Sequence, residues 1–531
     1  MDSISTAQKW GTMAIAAVGG LVLSIDLTVL HLAIPRLVTD LHPSATQILW
    51  IADGYAFAIA ALLITMGWLG DHIGRKRLLL IGVGAIAVTS TLTAYAPNAE
   101  LLIVARVLLG AAGATFMPSA LGLIRNVFRA HKERAMAVGM FTGVSALGVG
   151  MGPLVGGALL DHFWWGSVFL CNVPVMLVMF VAGVLLLPES RDPGSRTLDF
   201  PSVALSAAGV VGCIWAIKEM AANGVEVTRL VVGIVGAVLL VMFVRRQSRL
   251  ADPLIDFRLF RIRAYSGSIV VNMIAMFSII AQSLMFAQFW QLVLDWSPWQ
   301  AGLAGLPSAV GGMIGGAALA PLLINLLGRA RAITVGLVIG AGAFGASAVL
   351  LDQQINYVLV FAAIMLTGLG MSITLAITSD TILATVPKTQ AGSASAASET
   401  ASQLGAALGI ALLGSVVNAV YRSEVSVPSG ITGDPAARIG GSLAGAVEAA
   451  AELPADLAGQ AVAAARSAFV DALHINLYCS VALALAAAAV ALLTLGSVPK
   501  IISDDAEGQS EEEAQGEQAA AGPLRRHDQV S

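Results

Sequence analysis

"GWLGDHIGRKR" runs from Gly67 to Arg77, between two apolar stretches at 47–69 and 78–96. A chain that is oily, then briefly charged, then oily again has crossed a hydrocarbon layer, met water and turned back. Each flanking stretch has the length of roughly 20 apolar residues that a bilayer-spanning helix needs. Gly70 and Gly74 allow a tight turn and close helix approach. Asp71 is placed to accept from backbone N–H groups at the next helix start, or to pair with a base. Arg75, Lys76 and Arg77 anchor this end at a membrane face. The turn is expected to act as a conformational latch, because it lies too far from the deeper acids to touch a substrate.

The same alternation fills the chain. Its 531 residues are 57% hydrophobic and only 12% charged, against about a quarter charged in soluble domains. Cutting at charged or Pro/Gly-rich breaks gives fourteen spans: 10–34, 47–69, 78–96, 101–123, 135–160, 167–187, 200–220, 229–244, 265–293, 299–324, 332–350, 357–386, 391–420 and 472–495. The expected fold is an all-α polytopic membrane protein, with every backbone polar group paired inside its own helix. The run from Trp10 to Ile34 is too long for a signal-peptide core and is read as the first span.

Basic residues crowd alternate loops: 74–77, 125–134, 245–263 and 328–331. The positive-inside bias then places both termini in the cytoplasm of a multi-pass inner (cytoplasmic) membrane protein. "LGDHIGRKRLLLIG" (69–82) and "INLLGRARAITVG" (324–336) echo each other after the second and tenth spans. That echo predicts two six-helix bundles, 1–199 and 265–500, with two extra spans and a linker at 200–264. A loop at 421–471 is expected to be extracellular, with one short helix on each side of Pro454 forming a hairpin. The acidic tail at 501–531 has almost nothing to bury and is expected to be disordered and cytoplasmic.

The chemistry lies in the few ionisable residues stranded in oil. A charge at the bilayer centre costs at least ~2.5 kcal/mol, so it faces the protein interior and takes a partner or water. Asp26, Asp53, Arg106 and Glu399 are such residues, and the acids sit at several depths, as a pathway requires. Asp26 with Arg106 reads either as a permanent helix clamp or as a pair that breaks on protonation. Asp380 lies near a helix end, within reach of headgroups. Trp50, Asp53 and Phe57 share one helix face, and a carboxylate between aromatic rings suits a desolvated organic cation. Trp50 alone would equally suit the interfacial aromatic belt. Phe286, Phe289 and Trp290 are candidates for a facing wall. "GVSALGVGMGPLVGG" (143–157) gathers Gly148, Gly152, Pro153 and Gly156 into a bendable helix that others approach closely; it reads as a static packing face or as a rocking interface.

Other chemistries find no support. There is no phosphate-binding G-x-x-x-x-G-K-[ST], so the chain is not expected to hydrolyse ATP or to be an enzyme. His31, His72 and His131 are isolated, and Cys171, Cys213 and Cys479 fall in separate apolar runs. No metal, cofactor, disulfide framework or nucleic-acid partner is expected. The expected partners are the lipid bilayer, protons and small organic cations, with the chain acting as a monomer.

The motifs carry a resemblance. "GWLGDHIGRKR" resembles the loop signature of the major facilitator superfamily, "RVLLGAAGA" from Arg106 its fourth-helix motif, and "GVGMGPLVGG" its fifth-helix antiporter motif. "SIDLTVLHLAIP" resembles the first-helix motif of the fourteen-helix drug:proton antiporters, most closely the quaternary-ammonium and methyl-viologen efflux pumps. Gly70, His72 and His31 depart from the usual residues of those motifs. The resemblance implies that Asp26 and Arg106 couple protons. It implies that Asp53 holds a cationic substrate, that Glu399 serves substrate or proton, and that Asp71 with Arg75 forms the gate. The implied function is proton-coupled export of quaternary ammonium compounds, cationic dyes and biguanide-like antiseptics. Rival readings are export of one metabolite or self-made antibiotic, an uptake symporter, and a membrane sensor or scaffold.

Overall fold

The computed structural model describes residues 5–43, 45–128, 130–189, 199–224, 226–250, 253–353, 355–386 and 391–496. The side chains of Asp53, Pro153, His31 and His131, and the tail at 501–531, lie outside the described residues. Among those described, thirteen helices are long and apolar enough to cross a membrane. They are numbered here with one further helix, α5. The first six crossings are α1 (Thr6–Leu41), α2 (Ala45–Ile73), α3 (Arg75–Ala94), α4 (Ala99–Val127), α5 (His131–His162) and α6 (Ser167–Leu186). Two more follow, α7 (Phe200–Asn223) and α8 (Val227–Gln247). The last six are α9 (Arg263–Val293), α10 (Trp299–Leu327), α11 (Arg329–Leu350), α12 (Tyr357–Ala384), α13 (Ala391–Glu424) and α14 (Ala455–Leu495). At ~1.5 Å per residue, the 32 residues of α5 also exceed the ~30 Å hydrocarbon thickness.

The helix starts follow local chemistry. The Asn98 side chain accepts from Leu101 N–H at the start of α4, and Ser297 with Gln300 forms a capping box before α10. Gly74 and Gly328 precede α3 and α11 with φ of +108° and +82°, a region that L side chains resist. The two echoing turns therefore share a backbone device.

Two apolar clusters carry the packing. One gathers residues from Met13 to Leu187, the other residues from Ala264 to Leu495. Helix α7 packs on both α2 and α13, through Val210 and Ile214 against Phe57, Ala60 and Ala407. Helix α8 packs on α7 through Gly236, while Ile234 and Val238 point outward. Arg246 of α8 grips Asp199 with two hydrogen bonds of 2.7 and 2.8 Å. These hold the Asp199 carboxyl well below its ordinary value, at about 2, so the clasp stays ionised throughout the physiological range.

Small residues set the closest approaches, as in other membrane bundles. Glycines of α5 face two ways. Gly148 and Gly152 lie on α1, against the Leu21 carbonyl and Thr28, while Gly139 and Gly143 lie on α10 against Gly316 and Met313. At this contact α10 widens into a π-helical turn, Ile314–Leu319. A Cβ at Gly139 would stand 1.8 Å from the Gly316 carbonyl oxygen. Gly139→Val should therefore cost about 1–3 kcal/mol through overpacking. Melting in detergent measures this, with Gly342→Ala, which meets open space, as the unaffected control.

The segment between α13 and α14 departs from expectation. Its two short helices, Asp434–Gly441 and Leu443–Ala450, both precede Pro454. Pro454 instead caps α14, whose first turns continue straight from it. Proline is tolerated at a helix start, where no intrahelical donor is lost. Tyr421 Oη donates to the Ile439 carbonyl at 2.8 Å and ties the hairpin to α13.

Candidate functional site

Asp26 and Arg106 meet, at 3.0 Å, with 2% and 1% of their surfaces exposed. The pair is a junction of four helices rather than two. Asn172 of α6 donates to the other Asp26 oxygen at 3.2 Å, and Arg106 Nε donates to the Ile51 carbonyl of α2 at 3.2 Å. The guanidinium lies 4.7 Å from the Tyr55 ring and 5.5 Å from Phe169. Asn172 and Tyr55 were not identified in the sequence. Both sit in ordinary apolar runs, and only the folded bundle brings them to the pair. The Tyr55 hydroxyl is buried without a hydrogen-bond partner.

At the Arg-rich end of the bundle, Asp71 and Arg75 pair at 2.7 Å, and both are almost wholly buried. Arg75 also donates to the Gly122 carbonyl at 3.0 Å. The second Asp71 oxygen accepts from Ser393 N–H and Oγ, each at 3.3 Å. Ser393 lies in the first turn of α13, so a carboxylate from one cluster satisfies exposed N–H groups at a helix start in the other. Gly70 is buried against Leu78, and Lys76 reaches the Val184 carbonyl at 3.0 Å.

A second buried link stands beside it. Asp380 of α12 holds Arg134 of α5 at 3.0 Å and Arg329 of α11 at 2.8 Å. Arg329 also donates to Thr381 Oγ1 at 2.7 Å. Asp380 is 0% exposed, so the expectation that it reaches headgroups is corrected: two guanidiniums and the bundle wall enclose it. Where the first repeat carries Asp71, the second carries Asn325, and Asp380 supplies the carboxylate from another helix. Arg125 of α4 donates to the Val386 carbonyl at the same end.

The expected cation wall is divided. Trp50 and Phe57 meet edge to face at 5.9 Å. Phe57 is buried, and Trp50 is 39% exposed. The Lys218 ammonium of α7 lies 5.5 Å from the Phe57 ring centre, a neighbour that the sequence reading did not identify. Glu399 of α13 accepts from Gln403 at 3.1 Å. Trp290 is corrected. It is 3% exposed, stacked on Trp296 at 5.0 Å and edge-on to Phe289 at 5.1 Å, inside the second cluster. Its faces are occupied by the protein's own rings. Phe286 packs against that same cluster. Periodicity placed these aromatics on a helix but did not distinguish its lumen side from its core side. Of the antiporter-motif glycines, Gly148 and Gly152 seat α5 on α1, and Gly156 is buried.

Comparisons with known proteins agree with this geometry. The family model of the Major Facilitator Superfamily matches residues 16–410. The multidrug efflux pump LfrA of Mycolicibacterium smegmatis is 42% identical over 91% of this chain and 95% of that protein. The methyl viologen resistance protein SmvA of Salmonella typhimurium is 33% identical over 92% of this chain and 97% of its own length. The tetracenomycin C resistance and export protein of Streptomyces glaucescens is 33% identical over 93% of each chain. The crystal structure of the human organic anion transporter MFSD10 superposes with a TM-score of 0.58 at 14% identity, covering 91% of this chain and 99% of that one, which speaks to the fold. A many-helix membrane protein with these relatives is a transporter rather than an enzyme, and the chain belongs to the Major Facilitator Superfamily.

Proposed function

We propose that the chain is a proton-coupled antiporter that exports lipophilic organic cations across the cytoplasmic membrane. The observation that carries this reading is the Asp26–Arg106–Asn172 junction: a carboxylate removed from water, yet held by a base that can keep or release it. A proton from outside and a conformational change that parts Asp26 from Arg106 are two ways to settle the same charge. Similarity to pumps named for multidrug efflux and methyl viologen resistance supports export, and methyl viologen is itself a flat dication.

In this reading the Arg-rich end is cytoplasmic, both termini lie there, and the protein works as a single copy. The halves 1–199 and 265–500 rock about the α5–α10 glycine contact. Asp71–Ser393 and Arg134–Asp380 shut the cytoplasmic end in the conformer described here. Asp53, Trp50 and Phe57 receive the cation, and Glu399 supplies a further acid on α13. Each elementary charge moved exchanges ~2.3 kcal/mol with every 100 mV of membrane potential, so proton entry can drive the export of charged guests.

The test uses purified protein in vesicles under an imposed pH gradient, with a monocationic and a dicationic dye. Asp53→Asn should cut export of the dication about tenfold or more while sparing the monocation to a larger degree, since a lost carboxylate weighs more on two charges than on one. Export of the dication at the parental rate would remove Asp53 from the substrate site. A second reading is a dedicated exporter of one metabolite, favoured by the similarity to the tetracenomycin C export protein. It expects neither dye to move under a gradient that drives a single neutral aromatic product.

A further inference from the structure

Helix α7 belongs to the pair interposed between the halves, yet it does not stand apart. It lies in the seam between α2 and α13, the helices that carry Phe57 and Glu399, and buries Val210 and Ile214 there. Lys218 is five residues from its last residue, Asn223, about 7.5 Å along the axis. A lysine this close to a helix end can usually snorkel to the headgroups. Here the Cα–Cβ bond tilts toward the helix N-terminus, which leads deeper into the membrane, and the ammonium comes to rest over the Phe57 ring at 5.5 Å. The nearby charges at this end are already engaged, Arg229 with Glu219 at 3.8 Å and with Glu226 at 3.0 Å.

We infer that Lys218 is a resident cation: its ammonium occupies the Phe57 face that a cationic guest would take, and it sets which guests bind and how tightly. This inference rests on the proposed cation site at Trp50 and Phe57. A guest must either displace the ammonium from the ring or bind beside it against like-charge repulsion. Either way Lys218 opposes binding, and it opposes a dication more than a monocation. When the guest leaves, the ammonium returns to the ring, so the aromatic face is not left vacant in oil. A tethered ammonium also gives the site a threshold, admitting only guests with enough apolar or aromatic area to outcompete it.

The experiment compares wild type, Lys218→Met and Lys218→Arg, each as the purified full chain. Ethidium (one charge) and propidium (two) are titrated by fluorescence in detergent, where binding is read without transport. Lys218→Met keeps the stem and removes the charge, and should lower the half-saturating ethidium concentration roughly tenfold, with a larger fall for propidium. Lys218→Arg should stay near wild type. Equal half-saturation in wild type and Lys218→Met, or no saturable binding to either, overturns the inference. A binding shift of the expected sign with no gradient-driven export by wild-type vesicles would overturn the antiporter reading and leave the resident cation standing.

Discussion

Asp26→Asn is expected to insert and fold, and to lose gradient-driven export by about two orders of magnitude, the usual scale for removing a proton-transfer group. The amide can still hydrogen-bond Asn172 and Arg106 in the same volume, so the four-helix junction keeps its shape. It cannot take up and release a proton. Arg106 retains the Ile51 carbonyl and the faces of Tyr55 and Phe169, which lessens the cost of the lost charge. A permanent clamp makes a different forecast. If Asp26 and Arg106 only hold helices together, the double variant Asp26→Asn, Arg106→Gln should transport as wild type does, because a neutral hydrogen-bonded pair replaces a buried ionic one at little or no cost. Dye export by that double variant, dissipated by an uncoupler as in wild type, would reduce the pair to architecture.

Asp380→Ala is expected to unseat the Arg-rich end. One carboxylate faces two guanidiniums, all at most 2% exposed. Removing one partner of a buried pair costs roughly 3–5 kcal/mol, since the charge left behind has nothing to oppose it. Arg134 belongs to α5 and Arg329 to α11, so their mutual repulsion acts across the junction of the two clusters. A loss of about 4 kcal/mol moves a two-state equilibrium by roughly a thousandfold. The variant should therefore populate a form open at this end. The readout is thiol labelling at Ser395→Cys, a buried position on α13, in a background with Cys171, Cys213 and Cys479 replaced by Ala. Labelling should rise at least tenfold over the parent, with a lower melting temperature. An unchanged labelling rate would show that Asp71 with Ser393 closes this end alone.

The crossings were legible because hydrocarbon permits so little. Long apolar runs between charged turns have one stable form, and the echo between 69–82 and 324–336 emerges as two helix starts with a positive-φ glycine before a buried arginine. Asp26 and Arg106 were legible for the same reason, since an ion in oil needs a partner and few were on offer. Other residues hid because their types are ordinary. Asn172 is one polar residue in an apolar helix, and Lys218 stood near a helix end, where a basic residue draws no notice. Trp290 shows the reverse case: an aromatic on a helix suggested a wall, and the fold turned it into the core.

Length, hydrophobicity and the placement of charge are one-dimensional quantities, and they sufficed for the number of crossings, the turn chemistry and the need for buried acids to be paired. Which partner each ion takes is a matter of distance between helices far apart in the chain. Asp71 reaches Ser393, Asp380 reaches Arg134, and Lys218 reaches Phe57 only after the bundles close. Coulomb and cation–π energies fall off over a few ångströms, so no spacing along the chain encodes them, and tertiary packing alone decided where these charges rest.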